Sequence, residues 1–173
     1  MRAFKMVQAV LILSLLAPAW GQRRGDPLNP VEADQLRDAA QDPTERLKLY
    51  IEFARTRLAS LEKMRADPKV TDRAQQTHDL LQNFLDVYDE MNDNIDTFVE
   101  RKSDLRKPLK AVIDADSEFQ AKLRAVRSSM DSKNVAKQYD FLLTNVLETV
   151  DQSLQDHRQL LTEQEQDPKH KKK

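Results

Sequence analysis

The chain has 173 residues, 28 Lys/Arg against 29 Asp/Glu for a formal net charge of −1, two glycines and no cysteine. That balance offers no global positive field of the kind nucleic-acid binding uses, and the lack of cysteine excludes disulfides, a lipid-modified cysteine and thiol catalysis. With 33% charged and 39% hydrophobic residues, and both glycines (Gly21, Gly25) ahead of the first predicted helix, the composition suits a helical bundle and not a β-rich fold.

Residues 1–21 read as a secretory signal peptide. Arg2 and Lys5 give a positive start, Val7 to Leu16 an apolar run, Pro18 a break, and Ala19-Trp20-Gly21 a small-x-small cleavage step. Gln22 is the expected mature start, with cleavage after Ala19 as the alternative. The apolar run is about half of the ~20 residues that span a bilayer. No transmembrane span is therefore expected in the mature chain, which is placed in the periplasm or outside the cell with a net charge of −3.

Residues 22–42 form a linker and a short helix near 31–41. Four long helices follow over 43–166: A near 43–66, B near 68–103, C near 107–130 and D near 133–165. A basic tail, 167–173, is expected to be disordered. Asp-Pro punctuates the chain at 26–27, 42–43, 67–68 and 167–168. It suits a helix start, because the carboxylate caps free N–H groups while proline occupies the first turn. Glu45, three residues after Asp42, fits a capping box.

Apolar residues recur at steps of three and four throughout. Helix A offers Leu47, Ile51, Ala54, Leu58 and Leu61, and helix B runs from Val70 through Ala74, Thr77, Leu81, Phe84, Tyr88, Met91 and Ile95 to Phe98. Helix C offers Leu109, Val112, Phe119, Leu123, Val126 and Met130; helix D offers Tyr139, Leu142, Val146, Val150, Leu154 and Leu161. Residues 80, 85, 87, 143 and 147 widen these seams beyond a two-stranded coiled coil. Two polar residues interrupt them: Lys102 near a helix end, and Asp116 inside helix C. Asp116 is predicted to be buried and to pair with Arg55, Arg57 or Tyr88, fixing register.

Residues 47–89 laid on 109–151 without gaps give thirteen identities, including Leu80-Leu81 on Leu142-Leu143 and Asp89 on Asp151. A duplicated helical hairpin explains this, each copy covering the other's apolar face. The expected fold is all-α: an up-down antiparallel four-helix bundle built from that duplication, with a short N-terminal helix.

Such a bundle brings the 101–110 junction and the C-terminal tail to one end. Arg101, Lys102, Arg106, Lys107 and Lys110, with Lys169, Lys171, Lys172 and Lys173, are the candidate contacts for an anionic surface; the plain alternative is cations at helix C-termini. Leu49 and Phe53 make a second apolar stripe on helix A. Either the short helix covers it with Val31, Leu36 and Ala40, or a partner protein does.

Chemistry-bearing patterns are scarce. Asn92-Asp93-Asn94-Ile95-Asp96 has oxygen ligands but no glycine at its sixth position, so it reads as a solvated helix face and not a calcium loop. His78 and His157 lie about 20 Å apart in height at 1.5 Å per residue, too far to share an ion. Lys48–Glu52 and Lys110–Asp114 are spaced for ion pairs along the helix. No nucleophile, phosphate loop or metal motif is present, so no enzyme activity, cofactor or metal is expected. The reading is a non-enzymatic envelope protein with a binding or scaffolding role, its partner and oligomeric state left open. Leu160-Leu161-Thr162-Glu163-Gln164 resembles, with one residue fewer between Thr and Gln, the Leu-Thr-x-x-Gln signature of small periplasmic helical chaperones over this one helix end, which implies a holdase for unfolded envelope proteins as the alternative. Carriage of a small molecule in the bundle core is a third class.

Overall fold

The computed structural model describes residues 26–129 and 136–167. The signal-peptide segment, Met130 and Lys169–Lys173 therefore lie outside the described residues. Five helices and no strand occur among the described residues: α1 (Pro30–Asp38), α2 (Pro43–Ala66), α3 (Arg73–Glu100), α4 (Arg106–Ser128) and α5 (Asp140–Gln166).

Helix starts follow side-chain capping where it is available. Asn29 accepts from the Val31 and Glu32 amides at 2.9 and 3.0 Å, and Glu32 reaches back to the Asn29 amide at 3.0 Å, completing a capping box. Asp42 caps α2 through the Thr44 and Glu45 amides. The box expected at Asp42–Glu45 does not close, because the Glu45 carboxylate turns to Lys48 at 3.8 Å.

The third helix starts later than predicted. Asp67 ends α2 instead of opening α3: its side chain accepts from the Lys69 amide at 2.9 Å and its carbonyl from the Val70 amide at 3.4 Å, making a turn ahead of Arg73. Asp26 closes the same kind of local turn on the Leu28 amide at 3.0 Å. Asp-Pro thus starts a helix only at Asp42 among these three. Helix α5 begins at Asp140, after a turn whose Tyr139 amide donates to the Ala136 carbonyl at 3.0 Å.

Between α3 and α4 the chain breaks cleanly. Lys102 takes a left-handed φ of 58°, while its amide donates to the Val99 carbonyl (2.8 Å) and the Ser103 amide to the Phe98 carbonyl (3.0 Å), the paired bonds of a Schellman stop. Helix α4 has no side-chain cap from its N-cap Leu105, only the Asp104 carboxylate on the Arg106 amide at 3.2 Å. Gln164 of α5 supplies one from across the bundle, accepting from the Leu105 amide at 2.7 Å and donating to the Ser103 carbonyl at 3.2 Å.

The long helices pack α2 on α3, α4 on α5, α2 on α4 and α3 on α5, with α1 on α2. Their seams meet in one core containing Leu47, Leu58, Leu81, Met91, Leu109, Leu123, Val146 and Val150. Leu85, Val87, Leu143 and Leu147, which widen the seams, are buried as well. At its centre Phe84 stacks on Tyr88 with centroids 5.6 Å apart, and Phe119 meets both rings edge-on at 5.4 and 6.2 Å. Such contacts add specificity of geometry to the burial of large apolar area.

Candidate functional site

Asp116 is fully buried, at 0% exposure. One turn of α4 places it beside Phe119, facing α3 and α5. Its Oδ1 accepts from the Tyr88 hydroxyl of α3 at 2.8 Å, and its Oδ2 lies 2.8 Å from Nδ1 of His157 on α5. Tyr88 also hydrogen-bonds Ser153, whose Oγ accepts from Nδ2 of Asn92 at 3.1 Å. Burial, and then the charge of Asp116, pushes the Tyr88 phenol far above its usual range, so it stays a donor.

Of the partners expected for Asp116, Tyr88 is found and the two arginines are not. Arg55 sits on the flank, donating to Glu118 at 2.8 Å and Glu52 at 2.7 Å. Arg57 is taken by Glu32, at 2.5 and 2.6 Å, and by the Pro27 carbonyl at 3.1 Å. Both guanidinium groups are already satisfied by carboxylates outside the core, Arg55 by Glu118 and Glu52 and Arg57 by Glu32. That bidentate pair fastens α1 to α2 and holds the Glu32 carboxyl below its ordinary range, against the opposing effect of burial.

His157 is the residue that sequence reasoning missed. It is only 5% exposed and bonds the buried Asp116. The signal was available: Leu154, His157 and Leu161 continue the three-and-four step of the helix seam. His78 is half-buried, 3.3 Å from Asp79, so the two imidazoles do occupy separate places.

The candidate surface contacts divide. Arg101, Lys102 and Lys107 are exposed at the α3–α4 junction. Arg106 is held by Asp104 at 2.6 and 2.9 Å, and Lys110 by Glu165 at 3.2 Å. The lysine pairs predicted along the helices are replaced by others: Lys48 meets Glu45, Glu52 meets Arg55, and Lys110 crosses to α5.

The Leu49/Phe53 stripe is not an open partner surface. Phe53 is buried, edge-on to Tyr50 at 6.4 Å, and Leu49 is half-buried against the core. From α1, Leu36 is buried while Val31 is 66% exposed, so the short helix covers this side with Leu36 and turns Val31 outward.

Two depressions flank this network. A cavity of about 1080 Å³ between residues 26–28, α1, α2 and α3 is lined by five carboxylates and two arginines. There Glu90 is raised above its ordinary carboxylate range by burial and then by Asp93 and Asp26. A smaller groove of about 380 Å³ between α3 and α5 includes Asn92, Ser153 and His157. Residues 92–96 are continuous helix, with Asn94 accepting from Arg46 at 2.6 Å and donating to the Tyr50 hydroxyl at 2.9 Å. No group of three metal-ligating side chains occurs among the described residues, and no helix there is long and apolar enough to cross a membrane.

No protein-family model matches the chain, and neither a curated protein nor a solved structure matches it.

Proposed function

We propose that this chain is a secreted or periplasmic, non-enzymatic bundle that binds or spaces an anionic component of the cell envelope through its basic end. The observation that carries this reading is the docking of the end of α5 on the α3–α4 junction. Gln164 clasps Ser103 and Leu105, and Glu165 pairs with Lys110. Lys169, Lys171, Lys172 and Lys173 follow α5 directly in sequence, so their attachment point lies beside Arg101, Lys102, Arg106, Lys107 and Lys110. Clustered basic residues near an anionic surface contribute ~1 kcal/mol each.

The same reading takes the fold as an up-down antiparallel bundle of a duplicated hairpin. Arg46 of α2 meets Asn94 of α3 while Arg65 meets Thr77, and Arg127 of α4 meets Thr144 of α5 while Lys110 meets Glu165. Each hairpin therefore runs out and back. Between hairpins, Arg55 meets Glu118, Glu62 meets Lys122 and Asn92 meets Ser153, at sequence separations of 63, 60 and 61. Those separations bracket the 62-residue offset of the internal repeat, which supports side-by-side packing of corresponding positions.

A holdase has less support. Gln164, the polar end of the chaperone-like stretch, is engaged in the junction clasp. The exposed large hydrophobics among the described residues are Val31, Val99 and Phe141, on three different helices.

Co-sedimentation with anionic phospholipid vesicles tests the proposal. Binding at low salt, weakening at physiological salt, is expected. Reversing Lys102 and Lys107 to Glu should weaken it about tenfold or more, and absence of binding at low salt would remove the proposal. Suppression of aggregation of a denatured client, without vesicle binding, would favour the holdase instead.

A further inference from the structure

His157 combines burial with access. It is 5% exposed, yet it lines the α3–α5 groove. Asp116 receives the Tyr88 hydroxyl on Oδ1 and the His157 Nδ1–H on Oδ2. A carboxylate only accepts, so the neutral imidazole carries its hydrogen on Nδ1 and leaves a lone pair on Nε2. Nε2 has no hydrogen-bond partner among the described residues, and it is not one of the sealed buried atoms, of which Asn92 Oδ1 is the example. It therefore opens to the groove as an acceptor.

The groove walls define what that acceptor can receive. Its charged rim residues are two carboxylates, Asp96 and Asp156, and its apolar walls are Ile95, Val99 and Leu160. An anion is repelled by that rim. Asp96, Asp156 and His157 are ligand-type residues, but they do not converge on one metal position, and a neutral alcohol gains nothing from the two charges. A volume of about 380 Å³ falls at the small end of ligand sites.

We propose that the α3–α5 groove binds an aliphatic primary ammonium, which donates N–H to His157 Nε2 under the carboxylates of Asp96 and Asp156 and lays its chain on Ile95, Val99 and Leu160. The site shares no residue with the basic end, which it adjoins where Val99 accepts the Lys102 amide at 2.8 Å, and it does not rest on the proposed envelope role. Asp116 and Tyr88 act as positioning residues, holding the ring so that its acceptor faces outward.

Nitrogen NMR of the His157 ring in the full chain, at about pH 8.5 where an ordinary imidazole is neutral, tests this directly. Titration with butylammonium should move the Nε2 resonance saturably. Tetramethylammonium, with the same charge but no N–H, should leave it in place. The exposed rim double variant Asp96→Asn/Asp156→Asn should weaken butylammonium binding about fivefold to tenfold. No saturable shift, an equal response to tetramethylammonium, or unchanged affinity in the rim variant would each overturn the proposal.

Discussion

On the proposed 62-residue duplication, the α2–α3 and α4–α5 pairs carry different chemistry at corresponding places. Ala54 and Ile95 of the α2–α3 hairpin are buried and apolar; the residues 62 positions later, Asp116 and His157 of the α4–α5 hairpin, are buried and polar. Both polar members differ together, and they bond each other at 2.8 Å. One buried charge alone is costly, whereas a pair with a third donor, here Tyr88, is tolerated. In either chemistry the seam position stays buried, and in the α4–α5 pair an imidazole bonded to Asp116 stands where the α2–α3 pair is apolar.

Breaking the pair on one side should cost most. Asp116→Ala strands the His157 ring and leaves the Tyr88 hydroxyl with Ser153 alone, with an expected loss of about 3–5 kcal/mol in chemical denaturation. Asp116→Ala with His157→Ile, which transplants the first hairpin's residues, should recover most of that loss, because a packed apolar pair replaces a buried polar one at little net cost. Additive losses in the double variant would mean that the two residues do not act as a unit.

Glu32→Gln comes next, at about 1–3 kcal/mol at neutral pH, since it weakens a bidentate bond to Arg57. Arg57 holds the folded-state carboxyl below its ordinary value. Its contribution is thus present above that value and is lost as pH falls through the lower folded one. Wild-type and variant midpoints should converge in acid, as pH-dependent thermal melts would reveal.

Tyr88→Phe removes one donor from a carboxylate that retains His157, for about 1 kcal/mol in the same denaturation assay. Glu90→Gln should have the smallest effect and the opposite sign. A raised carboxyl favours the folded state below its unfolded value and loses that benefit as pH rises through the folded one. At neutral pH the neutral variant should be more stable by a few tenths of a kcal/mol, with no difference near pH 3.

The seams were legible because burial on a helix imposes a period that side chains cannot disguise. Every described seam residue from Leu47 to Leu61 and from Ala74 to Phe98 is buried. Asp116 was legible as a polar break in such a seam. Its partners were less so, because which helix faces which across the core depends on packing that local periodicity does not encode: Arg55 and Arg57 were near enough in the repeat but turned to Glu118 and Glu32. His157 was not read as part of the helix D seam, which was stepped from Leu154 to Leu161 across it. The start of α3 was misplaced because Asp-Pro serves both a helix cap and a closed turn, and Asp67 makes the turn.

The orientation of His157 is the point on which the groove, the pair and the contrast between hairpins converge. Nitrogen NMR of the unliganded protein at about pH 8.5 measures it without any substitution. The account predicts an imidazole protonated on Nδ1 with a bare Nε2; a ring protonated on Nε2, with Nδ1 bare toward Asp116, would contradict it.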